Sequence, residues 1–161
     1  MMSACIKSPV GILNISGDRN GISEVMFTDD LAETSGKIPD ELSEAVTQLN
    51  EYFGKKRKKF SLKLNPEGTE FQKKVWDALL NVEFGKTQTY QQIANKLGDP
   101  KVIRAAASAN GKNPIAIIIP CHRIIGSDGS LTGYAGGLHR KKWLLEHESP
   151  VVQATLFYLL L

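Results

Sequence analysis

The sequence predicts an α/β protein of the α+β kind, a small β-sheet domain followed by a mostly helical one. Three observations carry this. Residues 3–28 hold short, partly alternating apolar runs separated by turn clusters, the pattern of a hairpin or meander. Past residue 66 the period changes, and two Thr-x-x-Gln capping boxes each precede helical apolar spacing. Between the halves, Asn65-Pro66-Glu67-Gly68 breaks the chain. The expected division is 1–66, 67–150 and an apolar tail, 151–161.

The totals bound the answer. The chain has 161 residues, enough for one ordinary domain or two small ones. It is 42% hydrophobic and 23% charged, which is globular composition. The net charge of +3 permits a nucleic-acid partner without requiring one. The two cysteines, Cys5 and Cys121, imply no disulfide framework. No signal peptide is visible, and the apolar tail, interrupted by Gln153 and Thr155, is too short to span a bilayer. The expectation is a cytoplasmic protein (nuclear in a eukaryote) with no membrane partner.

In order, Ile12–Ser16 and Ile22–Phe27 read as strands, with turns at Ser8–Gly11 and Gly17–Gly21. Residues 29–39 are polar and loop-like. Leu42, Val46, Leu49 and Phe53, spaced 4, 3 and 4, predict an amphipathic helix that Gly54 stops. The Lys55–Lys59 run reads as a solvated turn, and Phe60–Leu64 alternates as a strand.

Thr69-x-x-Gln72 opens a helix with Phe71, Val75, Ala78, Leu79 and Val82 on its apolar face, closed by Phe84-Gly85-Lys86. Thr89-x-x-Gln92 opens a shorter one with Ile93, Ala94 and Leu97 inside. Gly98 suits the left-handed position past its end, and Asp99-Pro100 is an N-cap with proline at the first helical position. The next helix runs from Lys101 to Asn110, stopped by Gly111. Helix, tight turn, helix is a helix-turn-helix pattern. Its second helix is nearly all Ala and Ser, with Lys101 and Arg104 as its basic residues. Major-groove readout needs several Arg, Asn or Gln side chains. Small residues instead let a helix press into a narrow groove with one long cation inserted, or make an alanine-rich core helix. The residues alone leave both open.

Ile115–Ile119, bounded by Pro114 and Pro120, reads as a buried strand that delivers Cys121 at its end. A lone cysteine packs as a small hydrophobe. With Pro120 before it and His122 and Arg123 after it, Cys121 is a candidate nucleophile. Gly126–Ser130 is a polar turn, and Leu131–Gly137 is a glycine-rich loop carrying Tyr134, able to admit a flat ligand close to the backbone. A last helix spans about Leu138 to Glu148, with His139 and His147 read as solvated.

Pro120-Cys121-His122-Arg123 resembles the active-site signature of the O6-alkylguanine-DNA alkyltransferase family. Thr89-Tyr90-Gln91-Gln92-Ile93-Ala94, Arg104-Ala105, Asn113-Pro114, Gly133-Tyr134-Ala135-Gly136-Gly137 and Lys142-Trp143-Leu144-Leu145-x-x-Glu148 match in order and spacing. The close similarity covers about residues 69–148; residues 1–66 fit in outline. The resemblance implies a ribonuclease-H-like N-terminal domain and a winged-helix-like C-terminal domain. The implied activity is transfer of an alkyl group from O6 of guanine, or O4 of thymine, to the protein's own cysteine, once per molecule. No cofactor is implied, because the damaged base donates the group. The implied partner is double-stranded DNA carrying O6-alkylguanine, bound through the minor groove by a monomer.

The resemblance also assigns roles. A free cysteine has a pKa near 8.5, so Cys121 needs activation. Adjacent side chains rarely face each other. A direct contact is thus not guaranteed by the sequence; the resemblance implies that a water bridges Cys121 and His122, that Glu148 orients the imidazole and that Asn113 positions the network. Tyr90 would donate to the leaving base. Tyr134 and Gly136-Gly137 would wall it, the Ala135 N–H would face O6, and the carbonyls around Cys121 and Ile124 would accept from the exocyclic amine. The base must be flipped out, at about a few kcal/mol. Arg104 would fill the gap in the stack, with Lys101 and Ser108 on the same helix against DNA. Arg123 would brace the loop. Some family members carry a zinc built from Cys and His, but here Cys5 stands alone and no histidine precedes His122, so no metal is expected. The alternative is a lesion-binding sensor or helix-turn-helix regulator that transfers nothing.

Overall fold

The computed structural model describes residues 1–29 and 34–149. The apolar tail and the centre of the 29–39 loop lie outside the described residues. The described residues form two compact units: one from residues 1–67 with 114–118, the other from residues 68–113 with 119–149.

The first unit is an antiparallel meander, β1 (Met2–Ser8), β2 (Gly11–Asp18) and β3 (Gly21–Thr28), in that spatial order. Period-two alternation puts Ile6 opposite Leu13, Ala4 opposite Ile15 and Ile15 opposite Val25, and all are buried. Helix α1 (Asp40–Phe53) buries Leu42, Ala45, Leu49 and Tyr52. The inward face is rotated from the expected one, leaving Val46 and Phe53 only half-buried. Gly54 does not take the left-handed conformation at the helix end. Lys55 does, at φ 61°, because its N–H bonds Tyr52 O and the Lys56 N–H bonds Glu51 O, the Schellman arrangement. The lysine run is solvated, apart from Arg57, whose Nε donates to Glu51 at 3.1 Å.

Two expected strands are absent as strands. Phe60–Leu64 meets β3 only around Ile22, whose N–H donates to Lys63 O and whose carbonyl accepts from Asn65 N–H. Ile115–Ile119 is buried as expected, but a single bridge, Val25 to Ile115, is its sheet pairing. The chain then turns: Ile118 N–H donates to Ala116 O at 2.8 Å around Ile117, which sits at φ 72°. That is a γ-turn, strained for a β-branched residue. Apolar content alone could not distinguish this path from a strand.

The second unit is mostly helical. Helix α2 (Glu70–Leu79) and helix α3 (Tyr90–Lys96) both begin with complete capping boxes, Thr69 with Gln72 and Thr89 with Gln92. α2 is shorter than its apolar pattern implied; Val82 is buried but lies beyond its end. Between them lies β4 (Gln88–Thr89). Gly98 takes φ 90°, Asp99 caps a 3₁₀ turn at Pro100–Val102, and helix α4 (Ile103–Gly111) follows. The expected Lys101 start is thus a 3₁₀ prelude, and Gly111 is the last helical residue rather than the stop. The α4 backbone is tied to α2 by Trp76 Nε1, which donates to Ala109 O at 2.9 Å. A 3₁₀ turn at Cys121–Arg123 leads into β5 (Ile124–Ile125), and helix α5 (Leu138–Glu148) ends the described chain.

Candidate active site

Two short elements build the site. β4 pairs in parallel with β5, Gln88 with Ile124 and Thr89 with Ile125. The pairing sets Tyr90, the first residue of α3, beside the chain leaving Cys121–Arg123. Helix α5 turns Lys141, Leu144, Leu145 and Glu148 inward, at i, i+3, i+4 and i+7.

Cys121 is 6% exposed and opens the 3₁₀ turn, not the end of a strand. Pro120 sits at φ −83°, ψ 61°, and Cys121 N–H donates to Ile119 O across it. The Asn113 amide donates to Ile119 O at 2.8 Å, closing the excursion 114–118 at its base, and also hydrogen-bonds the Cys121 sulfur. Burial pushes the Cys121 thiol up; the Asn113 bond, the Lys141 charge and the backbone N–H oppose that rise.

His122 is fully buried, and its Nε2 lies 2.7 Å from Glu148 Oε2. Glu148 is shared. Arg123 Nε donates to Oε1 at 2.8 Å and Nη2 to Oε2 at 3.0 Å, while Nη1 donates to Val82 O at 2.6 Å. Burial would raise the Glu148 carboxyl, but His122 and the Arg123 fork hold it well below the usual carboxylate range. Burial lowers His122 against the pull of Glu148, so the imidazole is neutral. Facing an ionised carboxylate, Nε2 carries the proton and Nδ1 carries the lone pair. Nδ1 is buried and meets no hydrogen-bond partner among the described residues. His122 therefore makes no direct bond to Cys121.

Lys141 is fully buried and donates from Nζ to Ile124 O at 2.5 Å and Thr132 O at 2.7 Å. The Ile124 carbonyl, expected to receive a ligand amine, thus already accepts one bond and keeps a second lone pair. Tyr90 Oη donates to the same Thr132 O at 3.3 Å, and Lys141 Nζ lies 6.0 Å from the Tyr90 ring centre. Tyr134 lies close enough to Cys121 and Glu148 for their charges, after burial, to help raise its phenol well above its usual value. Arg140 Nη1 donates to Gly136 O at 3.2 Å, pinning the glycine-rich loop, on which Ala135 is exposed.

The structure thus gathers Cys121, His122, Glu148, Asn113, Tyr90, Ile124 and Tyr134. Arg104 and Ser108 stand apart on the exposed face of α4, with Lys101 exposed on the 3₁₀ turn before it, while Ala106, Ala109 and Asn110 are buried. The core-helix reading describes the buried face, and the other face is open to solvent. Among the described residues, no group of three His, Cys, Asp or Glu could hold a metal ion. His147 stacks on Trp143 at 4.7 Å rather than standing free. Lys141 and Arg140 are not among the residues the sequence singles out. The signal for Lys141 was available, since it shares a helical face with Leu144, Leu145 and Glu148.

Fold and site define a class: a helix-turn-helix protein with a buried cysteine set against an imidazole–carboxylate–guanidinium cluster. Residues 70–150 match the 6-O-methylguanine DNA methyltransferase DNA-binding domain, and residues 1–66 match the ribonuclease-like domain of the same family. The methylated-DNA–protein-cysteine methyltransferase of Methanosarcina acetivorans is 46% identical over 92% of this chain and 98% of its own length. The crystal structure of the Mycobacterium tuberculosis O6-methylguanine methyltransferase superposes with a TM-score of 0.80 at 42% identity, covering 95% of this chain and 96% of that one. The M. tuberculosis protein in complex with DNA gives 0.82 at 43% identity, covering 91% and 92%. The chain belongs to the 6-O-methylguanine DNA methyltransferase family.

Proposed function

We propose that this protein is a methylated-DNA–protein-cysteine methyltransferase that repairs DNA by moving an alkyl group from O6 of guanine, or O4 of thymine, onto Cys121. The observation that carries the reading is Cys121 itself, held by Asn113 and followed by a neutral imidazole whose lone pair faces away from its carboxylate. The Cys121 S–H proton passes through one water to His122 Nδ1, and the imidazolium is stabilised by Glu148. The thiolate attacks the alkyl carbon; the S–C bond forms as the O–C bond breaks. The base leaves with the electron pair and takes a proton from the Tyr90 hydroxyl, which the imidazolium proton replaces through solvent. Ile124 O accepts from the exocyclic amine, Tyr134 walls the base and the Ala135 N–H faces O6.

DNA is bound through the exposed face of α4 in the minor groove, where small residues allow close approach. Lys101 and Ser108 lie against the backbone, and Arg104 fills the stack after the base flips. The protein acts as a monomer, in the cytoplasm, with residues 1–66 and 67–150 as its domains. A thioether has no easy route back to thiolate, so each molecule acts once. Archaeal and bacterial relatives bearing this activity in their names support the reading.

Mass spectrometry of the intact protein after incubation with duplex carrying O6-methylguanine tests it. The expected result is one methyl on the Cys121 peptide, with transfer ending at one product per protein. Cys121→Ser should bind the duplex and transfer nothing. Binding without methylation of wild-type Cys121 would make the protein a lesion sensor instead.

A further inference from the structure

The Lys55–Lys59 run is left unused by the proposed chemistry. Its five consecutive cations outweigh the net charge of +3 of the whole chain. Lysines beside an edge strand discourage edge pairing. Here Phe60–Leu64 forms no strand and meets β3 only around Ile22, so the run has no edge to guard. The turn is nevertheless built rather than loose. Lys55 takes φ 61°, which is uncommon for a residue with a side chain, and its N–H and that of Lys56 close the end of α1 on Tyr52 O and Glu51 O. Arg57 is the strut: its Nε donates to Glu51 Oε1 at 3.1 Å and its Nη1 to Lys59 O at 2.9 Å. Glu51 is thus engaged by Arg57. Lys55, Lys56 and Lys59 are exposed and form no ion pair among the described residues.

The flanking aromatics turn inward. The Phe53 and Phe60 rings lie 5.3 and 5.6 Å from the ring of Tyr52, which is fully buried. No large apolar side chain is exposed between residues 51 and 64. The patch therefore lacks the apolar insertion that strengthens binding to an anionic membrane surface. What it presents is a set of compact, strongly hydrated point charges, which suits phosphate oxygens and carries no base readout.

We propose that the Lys55–Lys59 turn is a DNA-backbone contact of the first unit: Lys55, Lys56 and Lys59 meet phosphates of duplex DNA without regard to sequence or lesion. The contact is additional to the open face of α4, which belongs to the other unit. The proposal goes beyond the transferase reading and takes from it only the choice of DNA as the polyanion. Each phosphate neutralised releases condensed counter-ions, so the contact is read in the salt dependence of binding.

Binding of unmodified duplex is followed by fluorescence anisotropy from about 50 to 200 mM salt, with folding checked by circular dichroism. The triple variant is Lys55→Asn, Lys56→Gln and Lys59→Gln, since asparagine keeps the left-handed turn. Its slope of log affinity against log salt should be shallower than that of wild type by about 2 to 3. A control variant, Lys7→Gln with Arg19→Gln and Lys37→Gln, removes the same charge from other exposed positions of the first unit. Its slope should change by less than about 1. An unchanged slope in the folded triple variant overturns the proposal. So does an equal change in both variants, because net charge alone would then be acting. If the triple variant does not fold, Lys56→Gln with Lys59→Gln should make the slope shallower by about 2, and no change overturns the proposal. Phosphatidylserine vesicles supply the other arm: wild-type binding that the triple variant loses, with the duplex slope unaltered, would assign the patch to lipid instead. A shallower slope alongside unmethylated Cys121 in the lesion-duplex experiment would sink the repair reading and leave the patch standing; methylation with an unaltered slope would do the reverse.

Discussion

Arg123 and His122 draw on one carboxylate, and that division sets the state of the imidazole. With Arg123 bonded to both Glu148 oxygens, the carboxylate is ionised without help from a proton on His122. The histidine is left as an oriented neutral base. Glu148→Gln should therefore do two things. It leaves the Arg123 guanidinium buried without an anion, which costs about 3–5 kcal/mol, readable by urea denaturation. It also releases the imidazole, so methyl transfer should fall by about a hundredfold or more. Stability within about 1 kcal/mol of wild type would mean that Arg123 finds another partner. At this scale the residue types were legible: Pro120-Cys121-His122-Arg123 and Glu148 were nominated from the sequence. The sharing of Glu148 was not, since it depends on the chain returning α5 to the 3₁₀ turn across a separation of 25 positions.

Elements with local signals were read well. Both capping boxes form as expected, because a Thr and a Gln three residues apart satisfy each other's helix-end groups without tertiary help. Helix α4 shows the limit of such signals. Its alanines fit a packed face and an open one equally, and only packing against α2 and α3 decided that Ala106 and Ala109 turn in while Arg104 and Ser108 turn out. The open face makes a prediction that belongs to the helix. Arg104→Ala should slow repair of duplex about ten- to hundredfold, the scale of a flipping cost of a few kcal/mol, and barely change reaction with free O6-alkylguanine. Equal loss on both substrates would remove Arg104 from flipping and place it in the chemistry.

At the scale of the molecule, buried titratable groups link stability to pH. His122 is depressed in the fold, so the unfolded chain binds its proton first, and stability falls as pH drops below about 6.5. Glu148 is depressed too; its contribution is present above the ordinary carboxylate value, near 4.3, and is lost as pH falls further. Both act in the same direction. On the alkaline side they oppose: depressed Lys141 adds stability as pH rises from about 8 towards its unfolded value near 10.4, while raised Cys121 removes it. The thermal midpoint should therefore fall steadily from pH 7 to 4 and change little from 7 to 9. A midpoint flat between pH 7 and 5 would contradict a buried neutral imidazole.

The sequence by itself determined the sheet of 3–28, the two capped helix starts at Thr69 and Thr89, the helix-turn-helix and the identity of the nucleophile candidate. Each of these is written in residues close together along the chain, where periodicity, caps and turn chemistry act. Tertiary structure decided the path of 114–120, the rotation of α1 and the burial of Lys141. An isoleucine-rich run pairs as a strand only if a neighbour offers a free edge, and here Val25 offers one bridge before Ile117 turns the chain. A lysine on a helix goes to solvent unless other segments bring acceptors to it. At Lys141, the Ile124 and Thr132 carbonyls come from two different stretches of chain, and no local pattern records that meeting.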